Sequence, residues 1–257
     1  MAIQAAQRAL RGIFEPTRRH IRVVFGGETI ADSKRAMLLR DSGYDLHYLF
    51  PLDDVRMGWL EASDFVEKSA YKGEQTHWTV QVGEHRAENA AWAYPNAPVH
   101  DRPDLRGYIG FVWDAMDHWY EEDEEIFVHP RDPYHRVDTI KSKRHIKVVV
   151  EGEVVAETER PYLLFETNLP TRYYIPLEDV NPAYLTPTDL HTACPYKGVA
   201  SYWSINVKGK TYANLVWAYP NPIAEIPKIK GTVAFYNEKL DIYVDGELEE
   251  RPKTVWS

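Results

Sequence analysis

The chain has 257 residues, of which 44% are hydrophobic, 27% charged and 13% aromatic, and its formal net charge is −9. That is enough apolar material for one or two packed domains, and the acidic balance argues against a nucleic-acid scaffold, which needs a basic face. Its one cysteine, Cys194, excludes an internal disulfide and a four-cysteine zinc site, and no run of roughly 20 apolar residues spans a membrane.

Residues 1–19 read as an N-terminal arm. Within it, residues 4–14 place Ala5, Ala9, Ile13 and Phe14 near one face of a short amphipathic helix, and Arg8, Arg11, Arg18 and Arg19 make the region basic. It lacks the apolar core of a secretory signal, so the expected compartment is the cytoplasm, where a lone thiol stays reduced. From residue 20 the pattern turns to strands. Residues 23–25 and 29–31 flank Gly26-Gly27, a hairpin signal. Residues 52–60 have room for a helical turn or two. The first β domain is therefore expected over 20–119.

Residues 120–144 read as a connector. It opens on the acidic run Glu121-Glu122-Asp123-Glu124-Glu125, which predicts a solvated face rather than a metal site. It then places His129, Arg131, Asp132, Tyr134, His135 and Arg136 around Pro130 and Pro133. Plain linkers are polar and low in information, whereas this one is dense in His, Arg and Tyr, on a chain stiffened by proline.

From 145 to 257 the first domain returns. His20-Ile21-Arg22-Val23-Val24 reappears as His145-Ile146-Lys147-Val148-Val149, Tyr71-Lys72-Gly73 as Tyr196-Lys197-Gly198, and Trp92-Ala93-Tyr94-Pro95-Asn96 as Trp217-Ala218-Tyr219-Pro220-Asn221. The offset is constant (20 to 145, 71 to 196, 92 to 217: 125 residues), which is the mark of a tandem repeat. Within the second copy, residues 202–207 alternate with period two, stop at Lys208-Gly209 and return over 211–217. Residues 232–236 and 240–244 read as a further pair ending at Asp245-Gly246. Strands at this spacing predict a mainly β protein with antiparallel sheets and few short helices.

The stretch Cys194-Pro195-Tyr196-Lys197-Gly198-Val199-Ala200-Ser201-Tyr202-Trp203, the motif Trp217-Ala218-Tyr219-Pro220, the run 231–236 and Asp245-Gly246 resemble the signature of the domain of unknown function numbered 427, sometimes labelled nucleotidyltransferase-like. The connector and the tract from Leu163 to Pro176 resemble its tandem form. The resemblance implies a small β-tent-like domain in each half, a fold shared with zinc-binding domains. It carries no settled activity.

Candidate chemistry follows from the residues. Cys194 lies near Lys197, and a neighbouring cation lowers a thiol's pKa; the alternative is a structural cysteine. Lys197 is set to pair with an anion or to serve as a base, or to sit in solvent beside a turn glycine. His129 and His135 are suited to acid–base work near neutral pH. Arg131, Arg136 and Arg172 are suited to anion anchoring, with Tyr134, Tyr173, Tyr174 and Tyr196 as pocket walls. Trp78, Trp92, Trp203 and Trp217 read as core. Two histidines six residues apart with one aspartate match no strong metal template, so no metal, no structural zinc and no cofactor are expected. There is no phosphate-binding loop, dinucleotide glycine fingerprint or nucleophile elbow, and no paired carboxylates support nucleotidyl transfer. The expected partner is a small anionic or polar-aromatic molecule in a cleft between the two domains, with neither nucleic acid nor membrane. An enzyme and a non-catalytic ligand- or peptide-binding module both fit the residues.

Overall fold

The computed structural model describes residues 13–40, 46–69, 73–96 and 103–257. Most of the expected N-terminal helix, and the Tyr71-Lys72 pair, lie outside them. The chain divides into two compact units, Met1–Arg131 and Asp132–Ser257. The fold is mainly β, and the helical elements among the described residues are three-residue 3₁₀ turns. One pair of these, Leu52–Asp54 with Met57–Trp59, sits where the sequence left room for a turn or two, and Leu177–Asp179 with Pro182–Tyr184 repeats it in the second unit.

Each unit holds a seven-stranded and a four-stranded antiparallel sheet with matching strand order. In the second unit the large sheet runs Val137–Lys141, Tyr162–Glu166, Arg172–Pro176, Thr232–Phe235, Lys210–Ala218, Gly198–Val207, Leu185–Cys194. In the first it runs Ile13–Pro16, Met37–Arg40, Leu46–Pro51, Tyr108–Phe111, His85–Ala93, Gly73–Val82, Leu60–Ser69. The small sheets run Glu153–Thr158, Ile146–Val150, Asp241–Val244, Glu247–Leu248 and, in the first unit, Glu28–Ser33, Ile21–Phe25, His118–Glu121, Glu124–Ile126. The hairpin at Gly26-Gly27 turns with both residues at positive φ (60° and 79°), and its counterpart Glu151-Gly152 does the same (50° and 82°). That geometry matches the natural twist of paired strands and calls for glycine at the second position. Trp92 and Trp217 occupy the same strand position in the two units, facing Gly110 and Ala234 respectively.

Three expectations change in the structure. The stretch set apart as a connector, 120–144, is shared out between the units. His118–Glu121 and Glu124–Ile126 complete the first small sheet, and Val137–Lys141 forms the edge of the second large sheet. Likewise Ile13–Pro16, expected at the end of a helix, is a strand paired with Met37–Arg40, and Phe14 packs edge-on against Tyr108 at 5.2 Å. An exposed sheet edge offers this segment a full row of backbone partners, which outweighs a weak helical period. Finally, residues 232–235 and 241–244 do not pair with each other. The first joins the large sheet and the second the small one, because the chain turns at 236–240 and crosses from one layer to the other.

Alternation along the strands explains the packing. In the second unit Leu163, Tyr173, Ile175, Val216, Ala218, Val233 and Phe235 face the small sheet and pack on Ile146, Val148, Val150, Val155 and Ile242. Their neighbours Leu164, Tyr174, Trp217, Tyr219 and Ala234 point the other way and pack beneath Ile226 and Ile229. The central strands Arg172–Pro176 and Thr232–Phe235 of the large sheet are thus buried on both faces. Trp203 packs on the inner core and Trp217 lies in the outer one; Trp78 and Trp92 repeat this division in the first unit.

Candidate functional site

The outer face of the second unit's large sheet is where charge and aromatic rings collect. Strand alternation brings Tyr162, Leu164 and Glu166 to this face, and Arg172 and Tyr174 beside them, with Leu164 opposite Arg172 and Tyr162 opposite Tyr174. Tyr202 lies opposite Trp217, and Trp217 opposite Ala234.

At one end of the face stands an ion network. The Cys194–Lys197 turn, closed by the Lys197 N–H donating to the Cys194 carbonyl at 3.3 Å, swings Lys197 inward. Its Nζ donates to both oxygens of Glu166 at 2.5 Å. His135 Nε2 lies 3.0 Å from Glu166 Oε1. Since an ionised carboxylate only accepts, Nε2 carries the proton. The His135 ring stacks on Tyr196, with centroids 4.0 Å apart and planes at 20°, and the Tyr196 hydroxyl accepts the Asp132 N–H at 2.9 Å. The side chains of Lys197, Glu166 and His135 are each 10% exposed or less. Burial pushes the Glu166 carboxyl up, but hydrogen bonds from His135 and Lys197 and the lysine's charge outweigh it, so the net displacement is downward. Burial also pushes the Tyr196 hydroxyl up to about 12.

A second network lies further along the same face. The Arg172 guanidinium donates to Glu238 in a fork, with Nη1 to Oε2 and Nη2 to Oε1 both 2.6 Å, and also to the Asn237 side chain. The Glu238 side chain is 0% exposed. Desolvation raises its carboxyl, yet the hydrogen bonds from Arg172 and Thr254 hold it below the usual range. Tyr174 stands on the same face, paired in register with Tyr162. Its hydroxyl accepts the Trp217 indole N–H at 3.2 Å. Burial drives its pKa upward, as do the charges of Glu166 and Cys194, while Trp217 and Arg172 pull it back.

The structure therefore gathers His135, Arg172, Tyr174, Cys194, Tyr196 and Lys197 in one unit. The other expected residues fall elsewhere. Tyr173 points to the inner face, its hydroxyl donating to Glu249 at 2.6 Å, because adjacent residues of a strand face opposite ways. Arg136 is exposed and pairs with Asp138 at 2.6 Å. Tyr134 is 58% exposed. His129 and Arg131 belong to the first unit, where the His129 ring contacts the Pro130 carbonyl at 2.7 Å and Arg131 faces Glu124 at 3.3 Å. Glu121, expected in a solvated acidic face, is buried instead and bonds to Arg19 and Tyr48. Glu166 and Glu238 were not singled out from sequence. Glu166 stands in the Leu163–Thr167 tract, at the alternate position from Leu164, and that spacing was its available signal. Among the described residues no three His, Cys, Asp or Glu side chains stand together as a metal site.

Two stacked-sheet domains in tandem, each with an inner apolar core and the second with a charged outer face, define a duplicated β domain. Residues 13–122 and 138–246 each match the family described as a domain of unknown function (DUF427), and the chain belongs to that family. No curated protein matches the chain.

Proposed function

We propose that the second unit binds a small polar-aromatic or anionic molecule at the Lys197–Glu166–His135 network, with Tyr174 and Tyr196 as walls and Cys194 at the rim. The carrying observation is that network itself. Three ionisable side chains are held out of water on a face that apolar packing alone would close. Buried ion pairs are weak contributors to stability compared with apolar residues of the same size, and such clusters concentrate at functional sites. Glu166 spends both oxygens on Lys197 and His135, which fixes their orientation. Lys197 retains a third N–H for a ligand acceptor. The three arginines assigned to anion anchoring each face a carboxylate already, Arg131 with Glu124, Arg136 with Asp138 and Arg172 with Glu238. Lys197 is likewise paired, with Glu166, and its third N–H is the donor we assign to the ligand. No reaction is assigned to the site.

The test uses benzoate, phenol and inorganic phosphate as probes, titrated against the full chain by ligand-observed NMR. Lys197→Met keeps the aliphatic stem and is expected to weaken benzoate binding about tenfold, the size of one lost charge-assisted hydrogen bond. Absence of binding by all three probes, or equal binding by wild type and Lys197→Met, refutes the assignment.

A further inference from the structure

The Arg172 network has a feature that ion pairing does not require. Glu238 and Asn237 occupy the edges of the guanidinium. Three aromatic rings stand around the cation: Trp217 at 5.5 Å, Tyr236 at 6.0 Å and Trp256 at 5.7 Å from Cζ to the ring centroid. Trp217 and Tyr236 belong to the packed face and touch each other at 4.7 Å. Trp256 comes from outside it, in the segment 251–257, and is 40% exposed. This segment forms its own turn: Thr254 Oγ1 accepts the Trp256 N–H at 3.1 Å, and the Ser257 hydroxyl accepts the Thr254 N–H at 2.8 Å. Besides the Trp256 ring, its side-chain ties to the rest of the unit are Thr254 donating to Glu238 at 2.7 Å and Arg251 donating to Asp241 at 2.7 Å. Val255, between the two anchoring residues, is 90% exposed.

We infer that Trp256 occupies a slot for a planar aromatic ring, built by Arg172 and held rigid by Glu238, and that a free aromatic molecule of indole size binds there when Trp256 leaves. A guanidinium whose edges are committed to a carboxylate recognises a partner through its face alone, by cation–π attraction and stacking. That selects flat, electron-rich rings and excludes both anions, which need the edges, and non-aromatic apolar groups. Trp256 is then a tethered competitor for the slot, present at high local concentration. This inference does not depend on the Lys197 site.

The experiment fills the vacated slot with the group that left it. Indole and cyclohexylmethanol, which is similarly sized but not aromatic, are titrated against wild type and Trp256→Ala, following the Arg172 Nε–H resonance by NMR. Indole is expected to bind Trp256→Ala at least about tenfold more tightly than wild type, the size of one desolvated cation–π contact. It should shift the Arg172 signal through its ring current, while cyclohexylmethanol leaves that signal in place. Equal indole affinity in the two proteins, or equal uptake of cyclohexylmethanol, overturns the inference. Should Trp256→Ala not fold, Thr254→Val, which keeps the indole but cuts the tie to Glu238, carries the same comparison. Equal binding by Thr254→Val and wild type then overturns it.

Discussion

Among the described residues, the outer faces of the two large sheets occupy the same place in the same fold and differ in the side chains beside their tryptophans. In the first unit Leu39, Leu49, Trp92 and Tyr94 form a small apolar cluster, with Phe14, Met37 and Tyr108 packed against it. In the second, Leu164, Tyr174, Trp217 and Tyr219 hold the matching positions. There Arg172 stands where the first unit has His47, and the turn that carries Glu238 follows Thr232–Phe235 as the 3₁₀ turn Trp113–Ala115 follows Tyr108–Phe111. His47 packs its ring edge against Trp92 at 5.2 Å, and Asp114 is exposed. The inner cores, by contrast, are alike: aliphatic side chains from both sheets meet in each. Duplication kept the half of the packing that makes the fold and released the other half to diverge. Among the described residues, the Arg172–Glu238 pair marks that divergence.

The comparison breaks most visibly at the buried ion pair. Glu238→Ala leaves the Arg172 guanidinium buried without its carboxylate and is expected to cost about 3–5 kcal/mol. Asp114→Ala, in the turn that follows the matching strand of the first unit, removes an exposed charge and should stay within about 0.5 kcal/mol of wild type. Hydrogen exchange followed on peptides from 146–176 and 21–51 distinguishes the units. Equal effects of the two substitutions would show that the Arg172 pair is not the divergent element.

A smaller effect, reversed between the copies, is expected where the two tryptophans sit. Gly110 lies under Trp92, and a Cβ there would approach the Trp92 ring at 2.7 Å and Leu49 at 2.8 Å. Gly110→Ala should destabilise the first unit by about 1–3 kcal/mol through overpacking. The second unit already carries Ala234 at this position, and its Trp217 donates to Tyr174 instead. Chemical denaturation of Gly110→Ala measures the cost, and an unchanged midpoint would mean that Trp92 has room to tilt.

The gentlest effect is on pH. Glu166 and Glu238 both have carboxyls held below the ordinary range in the folded state. Each therefore contributes stability that is fully present above the unfolded value of about 4.3 and is lost as pH falls through the lower folded value. The denaturant midpoint of the second unit should fall on acidification below about pH 4, and Glu166→Gln should flatten that dependence. An identical pH profile for Glu166→Gln and wild type would mean that the Lys197–His135 network does not hold the carboxylate ionised.

Much of the architecture was legible in the residues. The constant offset between His20 and His145, or Trp92 and Trp217, announces the duplication, and paired glycines such as Gly26-Gly27 announce hairpins, because both signals are local or self-referential. The repeated Tyr-Lys-Gly motif marks Tyr196 and Lys197 in the same self-referential way, whereas their partners Asp132, Glu166 and His135 carry no such repeat. The opposite orientations of Tyr173 and Tyr174 were implicit in strand alternation, and only the register decided which of them met Trp217. The fate of residues 120–144 was not legible, since their strand character appears only when a sheet edge offers partners.

What the sequence by itself determined is a mainly β chain made of two copies. Local turn geometry and period-two patterning need no distant information. Only the tertiary structure decided that Glu166 serves Lys197 and His135, that Glu238 serves Arg172, 66 residues away in the chain, and that Trp256 returns to cover that pair. A buried charge is tolerated only beside its counter-charge, and which residue supplies it depends on how separate strands are brought onto one face.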